Sequence, residues 1–232
     1  MKKILIMLMV LVLTFTATVS LAESTLKVHG KGDSYITAEI AYVDLGVQAR
    51  EANVRDAQQK VNSGIEKVVA ALIESGIAKE DINTDNINIY MYTDYSSLGK
   101  ERVLYNASSM ITVRVSDPNG AGSVIDVAFS AGANILNGIT FAAENTEEAE
   151  KEALTMAVEE ARKKAEILAA AAGMRLGDMI SMEEQNVYSY DSGMNNFSMK
   201  DVAEEAAGTV VRAAKLCVSA QVYVEWQMVK AE

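Results

Sequence analysis

The residues with chemistry to offer are few and scattered. Cys217 is the only cysteine and His29 the only histidine in 232 residues. Cys217 stands between Lys215 and Ser219 on what reads as the polar side of the last strand. Residues two apart share a strand face, so Lys215 could lower the thiol pKa and make Cys217 redox-active. The competing reading is an inert thiol, because no second cysteine can resolve an oxidised form. A lone cysteine also rules out an intramolecular disulfide, so the fold must hold by its core. One histidine without clustered Cys or acidic partners makes a poor metal site. It also leaves almost no room for Ser–His–Asp or Cys–His catalysis within one chain.

The methionines are more numerous. Met179-x-x-Met182 and Met194…Met199 carry thioethers that could bind Cu(I) or take up oxidant, although Met more often fills gaps in a core. Glu183-Glu184 and Glu204-Glu205 are adjacent acids, which do not share a face and read as solvated surface. Tyr90, Tyr92, Tyr95 and Tyr105 gather around one hairpin. They fit an interface patch, where Tyr is enriched, and fit cross-strand packing within a sheet equally well. No catalytic set, cofactor motif or metal-ligand spacing emerges, and nothing identifies a small-molecule ligand.

Composition narrows the setting. The first residues have the three parts of a secretory leader: Lys2 and Lys3, an apolar run from Ile4 to Leu13, and small residues Ser20 and Ala22 before a cleavage point. The apolar run is short for a membrane span of about 20 residues. Cleavage after Ala22 removes 22 of 232 residues and leaves 210, enough for one domain with a sizeable core. The loss of two lysines takes the net charge from −11 to −13. A surface this acidic repels nucleic acid and anionic lipid headgroups. Localisation in the periplasm, or outside the cell, is therefore expected.

The elements that must position these residues follow from periodicity. Asn137–Gly177 is the longest organised stretch. Asn145 or Thr146 caps a helix over 147–172, Glu147 and Glu148 favour its positive end, and Gly173 stops it. Such a helix is about 39 Å long. Leu154, Ala157, Val158, Ala161, Ala165, Leu168 and Ala172 fall on one face, and alanine there allows close approach to a sheet or to another helix. That stripe is either an oligomer seam, with Ala157, Ala161 and Ala165 at its centre, or the cover of the chain's own sheet.

Earlier in the chain, Thr25–Gly32 reads as a short strand. Its Val28-x-Gly30-x-Gly32 lacks the third glycine and the helix of a dinucleotide fingerprint. Tyr35–Arg50 reads as a long strand whose apolar parity changes near Ala41-Tyr42, by a bulge or by burial on both faces. A second long helix starts at the Asn53 cap and ends at Gly76. Strands are expected over 82–95 and 103–116, then a short helix after Pro118, then strands over 135–143 and 179–190. Residues 191–208 read as a mobile insertion. Leu216 to Met228 alternates most clearly of all. The result is one α+β domain over 23–232: an antiparallel or mixed sheet with two long helices and one short helix packed mainly on one face.

The order of these elements, with several short strings, resembles the SIMPL-domain family, which includes bacterial periplasmic immunogenic proteins and an oxidative-stress defence protein. The strings are Val28-x-Gly30-x-Gly32, Leu45-Gly46-Val47, Gly76-Ile77…Glu80-Asp81-Ile82-x-Thr84, Gly138-Ile139-x-Phe141, the helix with Ala157, Ala161, Lys164 and Ala165, and Gly173…Leu176-Gly177. One departure is Ala38-Glu39, where many relatives carry Pro-Asp. The resemblance implies an exported, non-enzymatic envelope protein. It also implies assembly into ring-like or channel-like homo-oligomers in some members, a link to oxidative-stress tolerance in some, and no catalytic residues to carry over. The alternative is a periplasmic or extracellular binding module or redox buffer built on Cys217 and the methionines. N-terminal sequencing of the exported protein should begin at Glu23; a start at Met1 would show that the leader is retained.

Overall fold

The computed structural model describes residues 24–94, 101–191, 208–213 and 215–231. The leader at 1–22, the hairpin loop at 96–100 with Tyr95, and the Met194 and Met199 stretch of the expected insertion lie outside the described residues.

The described residues form one α+β domain. Its strands are β1 (Thr25–Thr37), β2 (Ile40–Glu51), β3 (Ile82–Asp94), β4 (Arg102–Val115), β5 (Ile135–Ala142), β6 (Met174–Asp191) and β7 (Lys215–Lys230). Its helices are α1 (Val54–Glu74), α2 (Ala121–Ser130) and α3 (Glu147–Ala171). The strands build two antiparallel sheets rather than one, in the orders β1-β7-β6 and β3-β4-β2-β5.

The break between the first two strands falls at Ala38-Glu39, not at the Gly30–Gly32 pair. There the chain leaves one sheet and enters the other, with Glu39 N–H donating to the Ala142 carbonyl at 2.9 Å. β2 is buried on both faces over much of its length, and its irregularity lies at Asp44/Leu45 against β5. Val43, Leu45 and Val47 on one face of β2 meet Val68 and Leu72 of α1 and Val124 and Ile125 of α2. Asn53 Oδ1 caps α1 by accepting from Arg55 N–H at 2.8 Å. At the start of α3 it is Asn145, not Thr146, that accepts a backbone donor, from Glu147 N–H at 2.8 Å.

α3 covers the three-stranded sheet. Its fully buried residues are Ala149, Ala153, Ala157, Ala161, Ala165 and Ala169, each four positions from the last. A four-residue spacing runs as a ridge oblique to the helix axis, so the contact line winds across a twisted sheet. This is why Leu168 and Ala172, assigned by a three-and-four pattern to the apolar face, are exposed instead.

Opposite the ridge stand Gly30 and Gly32. A Cβ on Gly30 would overlap the Ala157 carbonyl oxygen and lie 2.7 Å from Ala161 Cβ; one on Gly32 would overlap the Ala153 carbonyl oxygen. The helix backbone therefore rests directly on the strand. Polar contacts lock it there: Lys31 N–H donates to Glu160 Oε2 at 2.6 Å, Ser34 Oγ to Glu152 Oε2 at 2.6 Å, and Lys164 Nζ to the His29 carbonyl at 3.3 Å. Glu160 and Lys164 thus occupy backbone groups on β1 that an edge strand would otherwise offer to another chain.

Gly→Ala in a strand normally relieves unfolded-state entropy. Here Gly30→Ala or Gly32→Ala should destabilise by about 1–3 kcal/mol, through overpacking against helix backbone. Urea unfolding monitored by circular dichroism would measure this; a neutral or stabilising result would contradict the contact.

Candidate functional site

The two faces of the β1-β7-β6 sheet differ. One is closed by α3. The other, built from alternate residues of each strand, carries the chain's only thiol. In register, Cys217 lies between Tyr35 on β1 and Tyr190 on β6, Ser219 between Asp33 and Tyr188, and Tyr223 beside His29. Cys217 and Ser219 are fully buried although their face is otherwise polar and aromatic. β7 is the central strand, so exposed tyrosines from both neighbours lie over it. Cys217 shares the parity of Lys215, as the alternation indicates, but Lys215 is exposed whereas the thiol is buried between Tyr35 and Tyr190.

Aromatic contacts organise this face. Tyr188 and Tyr190 stack at 5.6 Å, and His29 lies 4.8 Å from Tyr223. Lys31 Nζ binds Asp33 Oδ2 at 2.8 Å, which raises the Lys31 pKa. The same contact, helped by nearby Ser219 and opposed by burial, holds Asp33 below the ordinary carboxylate value. Ser219 is near enough to affect Asp33 but outside hydrogen-bonding geometry, so Ser219 Oγ and Asp33 Oδ1 are both buried without a hydrogen-bond partner among the described residues. The Cys217 thiol hydrogen-bonds to Tyr190, and this contact, with burial, pushes the Tyr190 phenol up to about 12. Tyr35 is raised by the same sulfur, chiefly through its charge. His29 forms no cluster with other metal-ligating residues; among the described residues no group of three His, Cys, Asp or Glu could hold a metal ion.

The second surface is the β3–β4 hairpin. Every β3 residue is at least partly exposed, and Ile87 and Met91 are 66% and 61% exposed. α1 covers the β2–β4 region, and β3 at the sheet edge extends past it. Tyr90 and Tyr92 lie 6.4 Å apart, and the Arg50 guanidinium stands 6.0 Å above the Tyr92 ring. Tyr105 pairs with Met91 across the hairpin and packs toward α1.

The structure separates the expected contact residues. Ala157, Ala161 and Ala165 are 0% exposed against β1 and β7 of their own chain. They are already used inside the chain, so their side chains are not open to a second copy. Tyr90 and Tyr92 stay at the surface of an uncovered edge. The alanine stripe alone could not separate these cases; the glycine pair opposite it was the missing signal.

The fold and the strings agree with a match to a family model over residues 26–226, described as SIMPL, protein of unknown function (DUF541). The chain belongs to the SIMPL family. Its relatives include the 26 kDa periplasmic immunogenic proteins of Brucella melitensis and Brucella abortus, each 30% identical over 164 residues. That match covers 68% of this chain and 66% of each relative, just under two thirds of the relatives' length.

The phenol cluster gives a direct test. Tyr190 keeps its proton well above the ordinary value of 10.0. A raised folded pKa contributes stability that is intact below pH 10 and is lost as pH climbs toward about 12. Ultraviolet titration should show one late phenol that disappears in Tyr190→Phe and moves down in Cys217→Ala. A late phenol unchanged by Cys217→Ala would contradict the thiol contact.

Proposed function

We propose that this protein is an exported, non-enzymatic component of the cell envelope, located in the periplasm, that works as a homo-oligomeric scaffold of ring-like or channel-like form. The observation that carries the reading is the β3 edge. It is 13 residues long, pairs among the described residues with β4 alone as the terminal strand of its sheet, and carries exposed Ile87, Ile89, Tyr90 and Met91. An edge strand with free backbone groups and apolar side chains is a template for pairing with another chain unless it is protected. β1 has such protection from Glu160 and Lys164, and β3 lacks an equivalent among the described residues. A second copy of the chain is the natural occupant, because closed homo-oligomers bury matching surfaces of identical subunits.

The names of the Brucella relatives support the periplasmic setting, and the acidic charge is consistent with a partner other than nucleic acid or anionic membrane. A role in oxidative-stress tolerance belongs to the same proposal. It draws on the family resemblance and on the enclosed thiol.

A second reading, a binding module or redox buffer, is favoured by one observation. Cys217, between Tyr35 and Tyr190, shares its sheet face with two buried oxygens that have no hydrogen-bond partner among the described residues, Ser219 Oγ and Asp33 Oδ1. Mass spectrometry after peroxide separates the readings: selective oxidation of Cys217 would favour the redox buffer, and uniform oxidation without a phenotype would count against it.

Light scattering behind size exclusion tests the first reading. The exported protein should run as a discrete assembly, and Ile87→Lys with Met91→Lys should shift it to monomer with an unchanged melting temperature. A native protein that stays monomeric at high concentration would contradict the proposal.

A further inference from the structure

β3 is regular where it is most exposed. Its register against β4 shifts between Thr84 and Asn86, and the pairing then runs unbroken from Asn86 to Asp94. β6, a terminal strand of the other sheet, is interrupted by three such shifts. Bulges twist an edge away from a new partner, so β3 is the better template of the two.

Side chains two apart share a strand face. Ile87, Ile89 and Met91 pair with Ser109, Ala107 and Tyr105 of β4, which in turn pair with Val47, Ala49 and Glu51 of β2. On this face Ala107 meets Ala57 and Val61 of α1. α1 packs over β2 and β4 and scarcely reaches β3. Ile87, Ile89 and Met91 are therefore left as an exposed apolar shelf beside the helix. Asn86, Asn88, Tyr90 and Tyr92 alternate with them on the other face.

This stretch has the same character read in either direction. In Asn86-Ile87-Asn88-Ile89-Tyr90-Met91-Tyr92 the apolar side chains stand at the centre and two places to each side of it. A reversed copy of the strand therefore matches it. Residues directly opposite in an antiparallel pair share a face and touch. A two-fold axis through Ile89 sets Ile89 against its own counterpart and Ile87 against Met91, giving three apolar pairs. It also sets Asn88 against Tyr90 and Asn86 against Tyr92, with no acid facing an acid. An axis through Asn88 brings Met91 to the bulge at Asp85, and one through Tyr90 brings Ile87 opposite Thr93; each keeps only two apolar pairs. A one-residue slip sets the shelf against Asn and Tyr side chains. Hydrogen-bonded and non-hydrogen-bonded pairs alternate along an antiparallel ladder, so the outward backbone groups of both copies are satisfied about Ile89.

We propose that two copies join β3 to β3, antiparallel, about a two-fold axis at Ile89, so that two four-stranded sheets become one and the shelves of both copies meet between their α1 helices. This arrangement rests on β3 being the contact with a second copy, as proposed above, and adds its symmetry and register. A two-fold contact closes at two copies. β3 then supplies the dimer from which a larger ring is built, and the step around the ring uses another surface.

Cross-linking reads the register. The full exported chain carrying Cys217→Ala is given one new thiol at a time and oxidised mildly. Ile89→Cys should form a covalent dimer with its own kind, and Ile87→Cys should do so with Met91→Cys when the two are mixed. A disulfide needs Cα atoms within about 7 Å, and Ile87 stands about 13 Å from its own counterpart in this register, so Ile89→Cys alone should cross-link at least about tenfold faster than Ile87→Cys alone. Charge exchange reads the same register without a thiol. Ile87→Lys with Met91→Lys sets like charges opposite and should give monomer; Ile87→Lys with Met91→Glu sets opposite charges across the axis and should keep the dimer. Both should retain the circular dichroism of the native chain. An assembly in which Ile89→Cys cross-links no faster than Ile87→Cys, or which Ile87→Lys with Met91→Glu abolishes, overturns this symmetry and register and leaves the β3 contact itself standing. A native chain that is monomeric at high concentration overturns both.

Discussion

The structure depends on backbone contact between β1 and α3. Gly30 and Gly32 leave no side chain beneath the helix, and an alanine at every fourth position of α3 leaves almost none above the strand. Dispersion falls steeply with separation, so surfaces this small still bind well when they touch along their whole length. The same arrangement allows little variation, because a single methyl group on either glycine strikes helix backbone that cannot rotate away. From this contact follow the burial of Val218, Ala220, Val222 and Val224, the position of β7 as central strand, and the tie of the chain's end to its beginning.

The contact also sets what each sheet leaves free. Because α3 closes one face of β1-β7-β6, that sheet shows solvent its tyrosine face, with Cys217 beneath two phenols. Because Glu160 and Lys164 reach from α3 to the β1 backbone, that edge is occupied. The other sheet has α1 and α2 over β2 and β4, and its β3 edge extends beyond them. The β1 edge, occupied from α3, thus contrasts with the exposed apolar side chains of β3 on which the proposed self-association rests. The region matched to the SIMPL family, residues 26–226, spans both sheets.

Much of the fold was legible in the sequence, and the limits were physical. β7 reads from alternation because one face is closed by alanines and the other is polar. α1 reads from its Asn53 cap and its Gly76 stop. The α3 ends were nearly right, although its buried line was not, because a helix crossing a twisted sheet buries a four-residue ridge that a local pattern spreads over neighbours. Gly30 and Gly32 were legible only as something other than a nucleotide loop. Their purpose lies more than a hundred residues away, where no local signal reaches. Cys217 was placed on a polar face correctly, yet its burial depends on Tyr35 and Tyr190 from two other strands. Met179 and Met182 stand opposite Trp226 and Val224 on one face, a relation hidden because bulges change parity and leave no composition mark in β6.

The claim at the centre of this account is that the β3 edge is where a second copy pairs. Hydrogen exchange of the β3 amides, followed in the exported protein over a range of concentrations, measures this most directly. The account predicts that β3 exchange slows as concentration rises, while the α3-capped β1 backbone is protected throughout. Fast β3 exchange at every concentration, in a protein whose β1 and β7 amides are already protected, would contradict it.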